Sequence, residues 1–282
     1  MAETLSVASW NVKHFGQTKG LDPATAQQKI KQKIAFLAQQ QADIVALYEV
    51  RSAVVFRPIA EAMPEYQFFI TEGPQTQEIL VGIHRRLSGF VTQKLEFKSS
   101  QPWLRPGVLV TVNCAGQFYS LLFLHLKSMT DAKGFGLRDD MLQLALKFRS
   151  HLDKLSEGKS NYLFVGDLNT MGLNYPYRQH DISAEAEIHE LERRAKHYSK
   201  KMELLPKAAP FTWSPKIGST LTQANLDHVV AADHLSFTPF GDGLVDVRGW
   251  PQTTTESDRD QWLTDYSDHA LLYFEIQTPE QQ

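Results

Sequence analysis

LFVGDLNT, residues 163–170, is the stretch from which the rest of the chain can be read. Leu163, Phe164 and Val165 predict a buried strand, and Gly166 lets the backbone pass a tight spot before Asp167 and Asn169. In α/β sheets, ligand sites lie at the C-terminal ends of strands, and side chains two apart on an extended backbone point the same way. A carboxylate and an amide can thus converge on one group. Asp, Asn and Gly are also ordinary turn formers, so the stretch takes its meaning from others like it.

Upstream, Leu137, Met141, Leu144, Ala145, Phe148, Leu152 and Leu155 recur at helical spacing and predict an amphipathic helix packed on the sheet. Residues 5–11, LSVASWN, read as a first strand ending on Asn11. Asp22 and Pro23 then open a helix carried by Ala26, Ile30, Ile34 and Leu37. Residues 43–49, DIVALYE, form another buried strand, which ends on Glu49. A short helix at 57–62 is followed by strands at 66–70, 78–84, 89–97, 107–112 and 117–126, mostly antiparallel in character. His125 sits among leucines in LLFLHLKS, where a lone histidine is more often a core residue than a catalyst.

Downstream, Ile188, Leu191, Ala195, Tyr198 and Met202 describe a further helix. Glu185 and Glu187 stand early in it; Arg193, Arg194, Lys196, Lys200 and Lys201 stand late. That order complements the helix dipole and reads as a solvated face, with a nucleic-acid patch as the competing reading. Residues 225–231, NLDHVVA, and 265–276, DYSDHALLYFEI, supply closing strands that bring Asp227, Ser267, Asp268 and His269.

The 282 residues, 42% hydrophobic and 22% charged, contain no linker-like tract, so one domain over 1–282 is expected. The single cysteine, Cys114, excludes an intrachain disulfide, and the first residues show no secretory leader; a reducing, cytoplasmic setting is expected. No apolar run is long enough to span a bilayer. A net charge of −3 gives no overall footprint for nucleic acid, so any polyanion must meet a local patch.

Asn11, Glu49, His125, Asp167, Asn169, Asp227, Asp268 and His269 all fall at or beside the ends of apolar strands. Carboxylates, amides and two histidines without a cysteine cluster suit Mg²⁺ or Mn²⁺ better than zinc. Taken in order, Trp10-Asn11, Glu49 in DIVALYEV, His125, the G-D-x-N of Gly166 to Asn169 and the S-D-H of Ser267 to His269 resemble the endonuclease/exonuclease/phosphatase superfamily. WNVKHFG, ALYEVRS, QEILVGIHR and LRPGV are closest to the deoxyribonuclease I type.

The resemblance implies a four-layered α/β sandwich, two mixed sheets face to face with helices outside, and hydrolysis of phosphodiesters or phosphomonoesters. It implies that Glu49 binds the metal with Asn11 in support, and that Asp268 lies beside the metal or a second cation. Asp167 would position or deprotonate the attacking water, and Asn169 would hold the phosphate. His269, oriented by Asp227, and His125, oriented by Glu78, would donate to phosphate oxygens and leaving group. Arg105 would add a phosphate contact, against the reading of a solvated loop arginine.

Three features depart from the family pattern. Lys13 stands where the abasic-site nucleases carry aspartate, which argues against that subgroup and a strict two-metal site, Tyr48 replaces a frequent glutamine, and the disulfides of secreted deoxyribonuclease are absent. Residues 173–210 match nothing and read as an insertion, a lid or substrate-selecting wall. The leading expectation is a metal-dependent DNA endonuclease or exonuclease. The alternatives are a phosphoesterase for a lipid head group or inositol phosphate, which Trp103, Trp250 and Trp262 keep open, and a non-catalytic binding protein on the same fold.

Overall fold

The computed structural model describes residues 4–17, 20–51, 53–156, 158–177, 180–197 and 199–279. The order is β1 (Thr4–Phe15), α1 (Pro23–Ala38), β2 (Ile44–Val50), α2 (Phe56–Ala62), β3 (Tyr66–Ile70), β4 (Glu78–His84), β5 (Ser88–Lys94), β6 (Gly107–Cys114), β7 (Gln117–His125) and α3 (Ala132–Leu155). It continues with β8 (Asn161–Asp167), α4 (Ala184–Ala195), β9 (Met202–Leu204), β10 (Asp227–Ala232), β11 (Ser236–Phe237), β12 (Asp246–Arg248), α5 (Glu256–Asp265) and β13 (Leu271–Gln277).

Two sheets result. The first runs β11-β13-β1-β2-β4-β3 with β12 on β13, and the second runs β5-β6-β7-β8-β10-β9. Both are mixed: β1 and β2 are parallel, as are β7 and β8, while the remaining pairs are antiparallel.

Strand periodicity explains the layering. Ile44, Ala46 and Tyr48 of β2 join Val110, Phe123, Val165 and Val229 from the facing sheet in one buried core. The alternate residues Val45 and Leu47 point outward and pack with Ile30, Ile34 and Leu37 of α1. On the other outer face Leu122, Phe164 and Val230 meet Met141, Leu142, Ala145 and Leu146 of α3 and Leu191 of α4. The fold is therefore a four-layered α/β sandwich, helix, sheet, sheet, helix. Asp22 caps α1 by accepting from Thr25 N, as the Asp-Pro pair predicts.

The structure corrects several boundaries. The strand expected over 89–97 stops at Lys94, and Leu95–Lys98 forms a 3₁₀ turn that buries Phe97 under the second sheet and leaves Leu95 exposed. The helix read through Met202 ends at Ala195; Met202 begins β9, where it pairs with Ala232 and is buried. Tyr198 of that reading lies outside the described residues. Of the basic residues read into that helix, Arg193 pairs with Glu190, Arg194 with Asp139 and Lys196, the residue after its end, with Glu192, while Lys200 and Lys201 lie beyond it. α5, not anticipated, is mostly polar and is announced chiefly by Thr255, whose hydroxyl accepts from Asp258 N.

Within 173–210, α4 packs beside α3 and β9 extends the second sheet. Arg138 of α3 anchors this region through a two-pronged ion pair to Glu187.

Candidate active site

Strand direction gathers the polar tips. Asn11, Glu49, His125 and Asp167 come at or near the C-terminal ends of β1, β2, β7 and β8. β10 and β13 run antiparallel to β8 and β1, so Asp227 and the Asp268-His269 pair enter the same end from their N-terminal sides. Asp167 is the β-partner of both His125 and Asp227.

Asp167 is the hub. Its Oδ2 accepts from Asn11 Nδ2 at 2.8 Å and Oδ1 accepts from Asn169 N at 3.1 Å. His125 Nε2 and His269 Nε2 lie 3.5 and 3.8 Å from Oδ2. The other nitrogen of His269, Nδ1, is 2.8 Å from Asp227 Oδ2, so one buried imidazole spans two buried carboxylates.

The surroundings fix this arrangement. Thr212 Oγ1 accepts from Leu226 N and Asp227 N, both at 2.9 Å. Ser267 donates to Asn11 O at 2.6 Å and accepts from His269 N at 3.2 Å, and Trp10 Nε1 donates to His269 O. Gly166 is required here: at φ +145° a Cβ would lie 2.0 Å from Leu124 O and 2.7 Å from the Tyr48 hydroxyl.

Electrostatics separate the titrating groups. Burial, with Asp227 and Glu49 nearby, raises the Asp167 carboxyl against the opposing pull of His269 and Asn11. For His269, burial disfavours the imidazolium, but Asp227 and Asp167 outweigh it and the net shift is upward. His125 goes the other way. Burial, then the Arg105 and His269 charges, push it well below the ordinary histidine value, which makes it a neutral imidazole at pH 7.

Glu49 sits at the rim with a left-handed backbone, φ +61°, uncommon for a residue with a side chain and often found at functional sites. Its Oε2 accepts from His14 N at 3.0 Å and lies 2.7 Å from His14 Nδ1, while Oε1 is 3.4 Å from Asn11 Nδ2. The carboxylate oxygens of Glu49 and Asp167 fit a hard divalent cation, while Asn11 orients both by turning Nδ2 towards them, its Oδ1 accepting from Lys13 N at 3.0 Å. Asp167, Asp227 and His269 also offer ligand atoms within 4.8 Å of one another. The His269–Asp227 hydrogen bond already engages Nδ1 of the ring and Oδ2 of the carboxylate, so the Glu49 end is the better fit.

Three expected contacts come out differently. Glu78 is not the partner of His125: its Oε2 accepts from Thr71 Oγ1 and Gln75 Nε2, and His125 Nδ1 is buried without a hydrogen bond. The reason is local, because Thr71 and Gln75 border β4 and capture its first carboxylate. Arg105 is committed to backbone, donating to the carbonyls of His125 and Leu126 at 3.2 and 2.6 Å, so it braces the end of β7. Asp268, expected beside the metal or a second cation, is paired with Lys13 Nζ at 2.6 Å.

Asn169 is also engaged, its Nδ2 donating to Leu126 O at 3.2 Å.

Other participants carried little signal in the sequence. Tyr48 is fully buried between the sheets, its hydroxyl 2.9 Å from Ser9 Oγ and donating to Val165 O at 3.3 Å. Strand alternation placed it inward beside Glu49; its cross-sheet bond was not readable. Lys207 Nζ donates to Asp227 O at 2.6 Å and lies 3.0 Å from His228 Nδ1; burial lowers its pKa to about 7. Lys207 and Thr212 belong to irregular segments with no periodicity to mark them.

The chain has the fold of the endonuclease/exonuclease/phosphatase superfamily. Among solved structures, TDP2 of D. rerio in complex with a single-strand DNA product matches with a TM-score of 0.66 at 17% identity, over 98% of this chain and 99% of that one. An endonuclease/exonuclease/phosphatase from Bacteroides vulgatus matches at 0.65 and 10% identity, over 98% and 100%. A mannosyl-6-phosphatase from Bacteroides thetaiotaomicron matches at 0.61 and 15%, over 97% and 100%. No family model and no curated protein matches the chain in sequence.

Proposed function

We propose that this chain is a hydrolase of phosphoester bonds, that its substrate is nucleic acid with DNA foremost, and that it works with Mg²⁺ or Mn²⁺ in the cytoplasm. The observation that carries the reading is the His269 ring held between Asp227 and Asp167, with Asn11 linking Asp167 to Glu49. A phosphodiester is anionic, so catalysis needs donors for the developing negative charge and an aimed water. Asp167 is assigned to orient and deprotonate that water, His269 to donate to the phosphate or leaving oxygen, and neutral His125 to hold a phosphate oxygen through Nε2. Asn169 would turn its amide from Leu126 O to the phosphate. A cation held by Glu49 with Asn11 would neutralise charge on the phosphoryl oxygens.

Support for nucleic acid comes from the motif order and from the fold neighbour with a DNA product. A small phosphorylated substrate is the second reading; the phosphatase among the neighbours and the net charge of −3 favour it.

The test is incubation with supercoiled plasmid, single-stranded DNA, RNA and bis-p-nitrophenyl phosphate, each with Mg²⁺ or EDTA. Cleavage of DNA in Mg²⁺ and none in EDTA is expected. Turnover of small phosphoesters alone would transfer the assignment to the second reading, cleavage in EDTA would remove the metal, and inertness towards every phosphoester would leave a binding protein.

A further inference from the structure

A cavity of about 360 Å³ opens beside the catalytic cluster and shares two of its walls. Those walls are Lys13, which holds Asp268, and His14, which holds Glu49. Its floor is apolar, including Phe15, Ile30 and Leu263, and its rim carries three more lysines, Lys29 and Lys33 from α1 and Lys216 from the segment before β10.

What distinguishes these three lysines is their partners. Lys29 Nζ donates to Thr264 O at 3.1 Å, Lys216 Nζ to Thr264 Oγ1 at 2.9 Å, and Lys33 Nζ to Val12 O at 3.0 Å. Among the described residues none has a carboxylate within ion-pair distance, whereas most basic residues of α4 do. Thr264 draws two ammonium groups together on neutral oxygens, an arrangement that costs electrostatic energy unless an anion joins it. The Lys33 pKa is lowered to about 8, by burial first and then by Lys29 and Lys13, against the opposing pull of Asp268 and Glu49.

We infer that this cavity is a subsite for a second phosphate of the substrate, adjacent to the phosphate hydrolysed at Glu49, Asp167 and His269. The inference rests on the phosphoesterase reading for its catalytic neighbour. The second phosphate would be either the next linkage of a nucleic-acid strand or another phosphomonoester on one small molecule. Lysine nitrogens suit it as point charges without demanding bidentate geometry, and the apolar floor suits the carbon skeleton between two phosphates.

The test uses the full chain and a Lys29→Gln/Lys216→Gln double variant, both outside the catalytic cluster, with Lys147→Gln/Lys159→Gln as a charge-matched control on a distant surface. Pyrophosphate binding is measured calorimetrically in EDTA. A loss of about tenfold or more in affinity is expected in the first variant and not in the control. In turnover, the first variant should lose about tenfold in kcat/KM, mainly through KM, on substrates with a second phosphate, and keep its rate on bis-p-nitrophenyl phosphate. An oligodeoxynucleotide against a dinucleoside monophosphate tests the strand source; a sugar bisphosphate against its monophosphate tests the small-molecule source. Unchanged pyrophosphate affinity, equal loss in the control, or equal loss on the one-phosphate substrate overturns the subsite. If lysine-dependent pyrophosphate binding is found in a protein that hydrolyses no phosphoester, the anion site stands and the catalytic reading falls.

Discussion

The Asp227 carboxylate meets His269 Nδ1 at 2.8 Å across the gap between the two sheets, 42 residues apart in sequence. This contact orients the ring so that Nε2 faces Asp167, and it favours the imidazolium.

Asp227→Asn should therefore keep the fold and lose about 10²- to 10⁴-fold in kcat, because an amide can leave the ring in the wrong tautomer and uncharged. In the unsubstituted protein, NMR of the His269 ring should show it protonated through neutral pH. The sign follows from the raised folded value: the pair's stabilisation is complete below the unfolded histidine pKa and is lost as pH rises through the higher folded one. Titration of the ring at an ordinary histidine pKa would contradict this.

Asp167 carries the opposite liability. A buried acid whose pKa is raised binds more protons folded than unfolded, so stability from this group falls as pH climbs from the ordinary carboxylate range to the raised value. Asp167→Asn should raise Tm at neutral pH while abolishing turnover, and a lowered Tm would count against burial of the charge as the cause of the raised value.

Metal addition should be visible without turnover. Millimolar Mg²⁺ should raise Tm by mass action, and Glu49→Ala should remove the shift. Calorimetry should find one ion per chain, because Lys13 already neutralises Asp268. Two ions bound to the unsubstituted chain would show that this pair opens.

Lys207 supplies a second pH signature. Its pKa, lowered from 10.5 to about 7 by burial, means that the unfolded chain binds the extra proton between those values, so this group's stability contribution grows with pH across that window. Lys207→Met should flatten the dependence of Tm on pH from 7 to 10. An unaltered profile would assign the dependence elsewhere.

Gly166→Ala tests the close passage of the strands behind the site. With backbone and hydroxyl oxygens in the way and φ at +145°, the variant should lose at least about 2 kcal/mol of stability, read from denaturant unfolding. A neutral effect would mean that β8 can shift away from Tyr48.

Much of the fold was legible because its signals are local. The apolar run of DIVALYE marked β2 as a buried strand, though which of its residues face the sandwich and which face α1 appears only in the fold, and β3 and β4 fall at the boundaries read from residues 66–70 and 78–84. α5 was missed because Trp262 and Leu263 alone carry its apolar face, and Met202 was misplaced because one buried methionine fits a helix or a strand equally well.

The sequence by itself determined which residue types stand at strand ends, since hydrophobic period and its interruption are written along the chain. Tertiary structure decided partners that the strand ends left open: Asn11 with Asp167, Lys13 with Asp268, and Glu78 with Thr71 and Gln75 in place of His125. The physical reason is that hydrogen bonds and ion pairs act over about 3–4 Å, so they depend on strand order and on how the two sheets are set against each other, relations that no stretch of one strand encodes.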